Sequence, residues 1–468
     1  MRRGFLNSKP AKEHPNHPGP VSSSQTNTNL KLPSKATTTV KSSQENDLPR
    51  SFPYAAQEKP VEVPKGHETK LNFVEGSGNP QATYIWTALP QVDDGPDTEC
   101  LLRAGSKEVI LKTPGFPKPL PPANSPPAFR VGPSPGKGMG LFSTRDIEQG
   151  ETILWERPLL IVPLGIPTSL PAGFSKAQWI QHSLNEYERY VEVAVNRMQE
   201  HRRAAFMSLH NCHTKDGSGP LVGRVRTNGI GVDGLQPATA KTEYDMRVSS
   251  YSVISEHISR LNHSCSPNTR PSFDRATFAQ RLYAVRDIAA GEELTFQYIN
   301  VLAKKTERDE GLSPYAVVCA CLACTEGTAE SDKSRSEIAG FKPTSSVLAW
   351  AVNRQLPDDW LIKKYMILLD LIDKERLEHL DVYCVATRAI MESYICLGDT
   401  QNASKWAARV LRQSWSEMYE SQLGVDKLLD PDSPAYAKHA LWRIRVDTAA
   451  ATGAMSKLMG EALGLGGW

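Results

Sequence analysis

Long apolar runs are missing from this 468-residue chain. No stretch approaches the roughly 20 apolar residues a membrane-spanning helix requires, so no membrane association is expected. The opening MRRGFLNSKPAKEHPNHPG is basic but has no apolar region after it, which argues against a secretory leader. A charge surplus is missing too: 54 Lys and Arg stand against 52 Asp and Glu. Living on a phosphate backbone needs a strong basic excess or patch. The HRR of residues 201–203 and the KK of 304–305 are short and read as solvated faces, so no direct nucleic-acid contact is expected. Cysteine is sparse: eight residues in the chain are too few for a disulfide framework. Three of them crowd into residues 319–324, a pattern that suits a metal site in a reducing compartment, nucleus or cytoplasm.

The length fits two or three domains. Residues 1–66 are rich in Ser, Thr, Asn, Pro and Lys; such a segment buries too little apolar surface to offset its ordering entropy and reads as disordered. In residues 67–127, LNFVEG, ATYIWTAL and EVILK have the look of short strands, but PGFPKPLPPANSPP is an extended linker, and no independent domain is expected there. From Phe129 short β-rich pieces alternate with turns at GPSPGKG and EQG. Ser175 is a plausible N-cap for a helix whose Ile180, Leu184, Tyr187, Val191, Ala194, Val195 and Met198 recur at three- and four-residue steps. Residues 214–240 are Gly-rich and loop-like, and strand texture returns at RLYAVRDI and ELTFQYI. From about residue 344 the spacing is helical to the end, with Gly398 and Gly424 as candidate C-caps and small Ala403, Ala407 and Ala408 at a helix–helix contact. An α-hairpin array follows from this spacing, without a repeat of fixed period.

Four constellations carry chemistry. Gly136-Lys137-Gly138-Met139-Gly140-Leu141-Phe142 is no dinucleotide fingerprint, because no helix follows it; taken alone it is a tight hairpin turn. Arg260-Leu261-Asn262-His263-Ser264-Cys265-Ser266-Pro267-Asn268 is a polar run between apolar segments, either a binding loop or an exposed one. In Gly291-Glu292-Glu293-Leu294-Thr295-Phe296-Gln297-Tyr298 a turn enters a strand, on which Phe296 and Tyr298 share a face. Cys319-Ala320-Cys321-Leu322-Ala323-Cys324 supplies three of the four ligands a tetrahedral zinc needs. Cys100, Cys212, Cys265, Cys384 and Cys396 are all candidates for the fourth, and His210 and His213 flank Cys212.

In this order, GKGMGLFS, NHSCSPN, GEELTFQY and CxCxxC resemble the SET-domain family of protein lysine methyltransferases over residues 128–326. The long insertion and the helical C-terminal part resemble the SET-and-MYND subfamily and its fungal SET-only relatives. A MYND finger is not expected, since only one cysteine lies between Val162 and Ser250. The resemblance implies an α+β fold: a mostly-β SET domain of small sheets over 128–300 with a helical insertion at about 163–250. A zinc-bound post-SET segment over 301–340 and an all-α region over 341–468 would follow, after a largely disordered, Pro-rich region over 1–127.

The resemblance also implies S-adenosylmethionine as methyl donor. Lys137, Gly138, Met139 and Gly140 would offer it backbone groups, Asn262 and His263 would hold its amino-acid and adenine ends, and Asn228 would meet it too. Cys265 would complete a structural zinc with Cys319, Cys321 and Cys324, and the metal would supply the folding energy of the post-SET segment. Tyr298 matches the catalytic tyrosine. Phe296 would line the lysine channel, where lacking a hydroxyl leaves room for more than one methylation. Two positions depart from the family: Gln297 stands where Asp is usual, and Val317 where an aromatic stacks on adenine, so that either adenine binding is weaker or Tyr315 takes the role. The implied substrate is a histone tail or another lysine-bearing protein. A catalytically silent SET scaffold that binds protein partners through its C-terminal helices is the competing reading; Asn262, His263 and Tyr298 together favour the enzyme.

Overall fold

Short strands alternating with tight turns build three small sheets, and helices cover them. The computed structural model describes residues 59–68, 84–447 apart from 124, 167, 169, 242–249, 327–328, 343–346 and 416–423, and Thr452. The stretch expected to be disordered over 1–66 and the strand expected at LNFVEG therefore lie wholly or mostly outside the described residues.

The five-stranded sheet has the order β1-β2-β6-β8-β7, with β1 Tyr84–Leu89, β2 Thr98–Arg103, β6 Leu160–Pro163, β7 Ile230–Val232 and β8 Tyr251–Ile254. The strand expected at ATYIWTAL is β1, and TECLLR adds β2, so residues 84–111 carry regular elements within the region 1–127 read as largely disordered and Pro-rich. β2 pairs parallel with β6, Cys100 opposite Ile161, and Cys100, Leu101 and Leu102 are wholly buried. EVILK is no strand: its first four residues lie within helix α1 (Ser106–Leu111). The helix buries Ser106 and Ile110, four apart, and a short apolar run does not reveal which period will be used.

Helix α2 (Lys176–Arg197) begins as its sequence suggests. The Gln178 N–H donates to Ser175 Oγ at 3.3 Å, and the Ser175 N–H donates to Gln178 Oε1 at 2.9 Å, a reciprocal capping box. All seven of its periodic apolar residues are buried against the five-stranded sheet and the next two helices. Those are α3 (Glu200–Met207) and α4 (Pro220–Asn228). Helix α4 falls inside the Gly-rich stretch read as loop. Its first N–H groups are satisfied by Glu188 of α2, at 2.9 Å from Leu221 and 2.7 Å from Val222, so its cap comes from 33 residues away.

Past residue 300 come α5 (Lys305–Leu312), α6 (Leu322–Thr325), α7 (Ala329–Gly340), α8 (Val347–Val352), α9 (Trp360–Glu375), α10 (Asp381–Leu397), α11 (Thr400–Leu411) and α12 (Ala435–Lys438). Successive helices α9, α10 and α11 pack across short corners. Gly398 ends α10 with φ +75°, its N–H on Ile395 O and that of Asp399 on Tyr394 O. The segment before Gly424 lies outside the described residues, and Gly424 instead precedes a short 3-10 turn, Val425–Leu428. Ala403 and Ala407 are buried at the helix contact, whereas Ala408 faces outward.

These helices share one core with the strand region: Trp350, Leu369, Ile372 and Ile390 cluster with Cys265, Tyr283, Val285 and Val301. Gly150 marks another close approach. Its φ is +90°, and a Cβ there would run into the Arg412 carbonyl just past α11. Among the described residues no helix is long and apolar enough to cross a membrane.

Candidate active site

The four-stranded sheet brings the first three constellations into register. Its order is β3-β4-β12-β9, with β3 Phe129–Ser134, β4 Gly138–Ser143, β12 Glu293–Phe296 and β9 Asn262–His263. Lys137 closes the β3–β4 hairpin, its N–H on Ser134 O at 3.0 Å, and Gly138 takes φ +79°. β4 pairs with β12 through Leu141↔Leu294, and β12 runs parallel to β9 through Thr295↔Asn262 and Phe296↔His263. The third sheet, β10 (Thr269–Asp274), β11 (Ala279–Ala284) and β5 (Thr152–Glu156), lies beside it.

Glu293 joins the hairpin to the NHS segment. Lys137 Nζ donates to its Oε2 at 3.0 Å, and Asn262 Nδ2 donates to its Oε1 at 2.8 Å. Burial pushes the Glu293 carboxyl up, but hydrogen bonds from Asn262, Ser134 and Lys137 outweigh it and hold the group below the usual carboxylate range. Gly140 allows this meeting: a Cβ there would sit 2.7 Å from Glu293 Oε1 and 2.9 Å from Asn262 Nδ2. Sequence reasoning quoted Glu293 only as part of a turn; its place opposite a lysine and an asparagine arises from pairing across the sheet.

Tyr298 is held from several sides. Its N–H donates to His263 Nδ1 at 3.0 Å, and its hydroxyl donates to Leu261 O at 2.7 Å. Its ring centroid lies 5.3 Å from those of both His263 and Tyr315. Since His263 Nδ1 accepts, the neutral ring carries its proton on Nε2, which lies 3.3 Å from Cys265 Sγ. Burial, aided by the cations of Lys137 and Arg308, pushes the His263 pKa down to about 3. Strand β12 ends at Phe296, before Tyr298. The alternation nevertheless carries on: Leu294, Phe296 and Tyr298 enter one apolar cluster with Leu261, Leu312 and Tyr315.

Asn228 is buried at the end of α4, where its amide donates to His210 O at 2.7 Å and Arg224 O at 2.8 Å. Its backbone carbonyl accepts from Ser259, just ahead of the NHS segment. Val317 packs on the edge of the cluster around Tyr298. Beside these, a cleft of about 570 Å³ opens between the hairpin, the NHS segment and the cysteine-rich turn, lined among others by Lys137, His263, Glu293, Cys321 and Leu322. That size suits a small-molecule ligand.

The cysteine question resolves to one set. The sulfurs of Cys265, Cys319, Cys321 and Cys324 all lie within 4.8 Å of one another, with Cys265 at 4.0 Å from Cys319 and 3.5 Å from Cys324. Zinc–sulfur bonds of about 2.3 Å in a regular tetrahedron put sulfurs about 3.8 Å apart, so the donor set fits zinc. Hydrogen bonds within the cluster hold Cys321 and Cys324 below the ordinary thiol range, Cys324 at about 7, and Cys265 above it. Arg308, almost wholly buried, donates to Ala323 O at 3.3 Å beside these thiols. The other candidates stand elsewhere. Cys100 lies in the five-stranded sheet, Cys384 and Cys396 in the core face of α10, and Cys212 contacts Thr227 and Pro314. His213 is committed to Asp216 at 2.8 Å.

Comparison with known proteins matches residues 138–299 to the family model described as SET domain. The histone-lysine N-methyltransferase set5 of Schizosaccharomyces pombe is 28% identical over 221 residues, 46% of this chain and 57% of that protein. The human histone-lysine N-methyltransferase SMYD3 is 29% identical over 159 residues, 33% of this chain and 36% of that protein. The human N-lysine methyltransferase SMYD2 is 27% identical over 165 residues, covering 33% of this chain and 35% of its own. The chain thus spans little more than half of the first relative's length and about a third of the others'.

Proposed function

We propose that this chain, which carries a SET domain, is an S-adenosylmethionine-dependent protein-lysine N-methyltransferase acting on histone tails or other lysine-bearing proteins in the nucleus or cytoplasm. The observation that carries this reading is the fixing of Tyr298 by His263, Leu261 and Tyr315 at the end of the sheet that also presents Lys137–Gly140 and Asn262. A silent scaffold has no need of such a set. The relatives whose printed names are lysine methyltransferases support the same reading.

When bound, the donor supplies an electrophilic sulfonium methyl. Lys137, Gly138, Met139 and Gly140 would hold it through backbone groups, Asn262 and His263 would fix its ends, and Tyr315 would flank it. Asn228 would act from the α4 side. The attacking lysine must first lose a proton, because an ordinary Lys has a pKa near 10.4. An apolar wall of Phe296, Leu261 and Leu312 disfavours the charged amine and excludes water. The Tyr298 hydroxyl gives its proton to Leu261 O, so its oxygen lone pairs face the site as acceptors for an amine N–H. That aims the nitrogen lone pair, and positioning supplies most of the rate. Cys265, Cys319, Cys321 and Cys324 would hold a structural zinc that folds the post-SET turn against the NHS segment.

The test pairs calorimetry with transfer. Parent and Tyr298→Phe proteins should bind S-adenosylmethionine alike, while only the parent transfers label rapidly to lysine. Equal transfer by both would remove Tyr298 from the chemistry.

A further inference from the structure

His379 lies at the corner between α9 and α10, remote in sequence from every motif, yet its ring reaches the segment just past β12 that carries the tyrosine. His379 Nε2 is 2.7 Å from Gln297 Oε1, and Gln297 is the residue between Phe296 and Tyr298. The His379 ring is 4% exposed. Arg270 holds the corner in place, donating to His379 O and to Asp381 Oδ1, each at 2.7 Å. Burial, with Arg270, Arg335 and Arg286 nearby, keeps the imidazole well below its ordinary range, so it is neutral. A neutral imidazole nitrogen facing an amide oxygen is the donor, which leaves Nδ1 as an acceptor without a partner among the described residues. The ring therefore has one bond to make, and makes it to Gln297.

We infer that His379 is a positioning residue for Tyr298, acting through Gln297; this rests on the methyltransferase reading above. The ladder of β12 stops at Phe296, whose carbonyl accepts from the Ser264 N–H at 3.1 Å. Beyond it, side-chain bonds on two faces hold the chain. On the inner face Tyr298 is tied to His263 and Leu261; on the outer face Gln297 is tied to His379. Rotation of the 297–298 backbone, past the end of the β12 ladder, would swing the Tyr298 hydroxyl away from the amine it must aim. Glutamine reaches the ring from this place, whereas an aspartate is one methylene shorter. The α9–α10 corner is on this account part of the active site.

The experiment compares the full chain with His379→Leu and His379→Gln. The glutamine amide nitrogen can occupy the Nε2 position; leucine has no donor. His379→Leu should lower kcat about tenfold with the dissociation constant of S-adenosylmethionine changed less than about twofold, and His379→Gln should restore most of the loss. A role in docking the helices alone gives a lower melting temperature with kcat per folded molecule retained, and that result overturns the inference. So does a His379→Gln protein as impaired as His379→Leu. Gln297→Leu breaks the same bond from the other side and replaces His379→Leu if that variant does not fold. A second readout does not depend on turnover: fluorine NMR of 3-fluorotyrosine-labelled protein, with the Tyr298 line identified by its loss in Tyr298→Phe. The line should be single in the parent and in His379→Gln, and broadened or split in His379→Leu. A parent that transfers no methyl refutes the proposed function, while this spectrum still decides the role of His379; an identical line in His379→Leu overturns it.

Discussion

Replacing Arg335 by Met should loosen the C-terminal helices from the SET domain, and the cost follows from its partners. Arg335 on α7 is wholly buried. Its Nε lies 2.9 Å from Glu375 Oε2 at the end of α9, its Nη1 donates to Val301 O at 2.7 Å and Cys265 O at 3.1 Å, and its Nη2 donates to Ser266 Oγ at 3.2 Å. The guanidinium thus joins a helix end to the backbone of a candidate zinc ligand. Methionine keeps the stem and removes the charge, stranding the Glu375 carboxylate, which is 8% exposed. Breaking a buried pair from one side costs about 3–5 kcal/mol. Ser331 Oγ still donates to Glu375 at 2.6 Å, which sets the expectation at the lower end. A loss of about 3 kcal/mol is on the order of a hundredfold in the opening equilibrium. Guanidinium unfolding followed by tryptophan fluorescence reads this directly, because buried Trp350 and Trp415 lie in the C-terminal region. Adding Glu375→Leu removes the stranded charge and should recover part of the loss; the Cys265 and Val301 carbonyls still lack their donor, at about 1 kcal/mol each. A single-variant cost below about 1 kcal/mol, or a double variant no better than the single, refutes the reasoning.

Three further outcomes are expected. Purified protein should carry about one zinc per chain by elemental analysis, and Cys265→Ser should lower zinc and cofactor binding together while Cys212→Ser changes neither; folded, active protein with no zinc contradicts the assignment. Asn262→Ala and Gly140→Ala should each weaken S-adenosylmethionine binding in calorimetry, the first by losing the bond to Glu293 and the second by forcing that pair apart, and unaltered affinity in both separates the hairpin from the cofactor. Burial pushes the His257 imidazole down, but Glu156, at 3.1 Å from Nδ1, more than reverses this and raises its pKa. Its contribution to stability is then complete below the ordinary histidine value of about 6.5 and is lost as pH rises through the raised value. Glu156→Gln should flatten that part of the stability–pH curve, and an unchanged slope counts against the pair.

What the sequence showed and what it hid divide along contact distance. The Ser175 N-cap and the apolar stripe of α2 were legible because both are set by residues near in the chain. Helix α4 was not: its N–H groups are capped by Glu188 on another helix, while its own Gly219-Pro220 start reads as loop. The strand β2 was hidden for a related reason, since TECLLR is buried between β1 and β6, and β6 pairs with it from across the Pro-rich stretch. Within the site, Asn262, His263, Cys265 and Tyr298 could be named from motif order, and the structure brings them together. Glu293, Arg335 and His379 could not, because their partners come from register across a sheet or from the folding back of α9 and α10. Gln297 was noticed as a departure, but its partner lies 82 residues on.

On the reading proposed above, the tyrosine held just past β12 directs methyl transfer to lysine. The most direct measurement incubates the zinc-loaded full chain with methyl-labelled S-adenosylmethionine and purified histones plus a cell-protein extract, then locates the label by tandem mass spectrometry. Label is expected on the Nε of lysine side chains, present with the parent and nearly abolished with Tyr298→Phe. Protein that binds the cofactor yet places no label on any lysine, or a Tyr298→Phe variant that labels as fast as the parent, would contradict it.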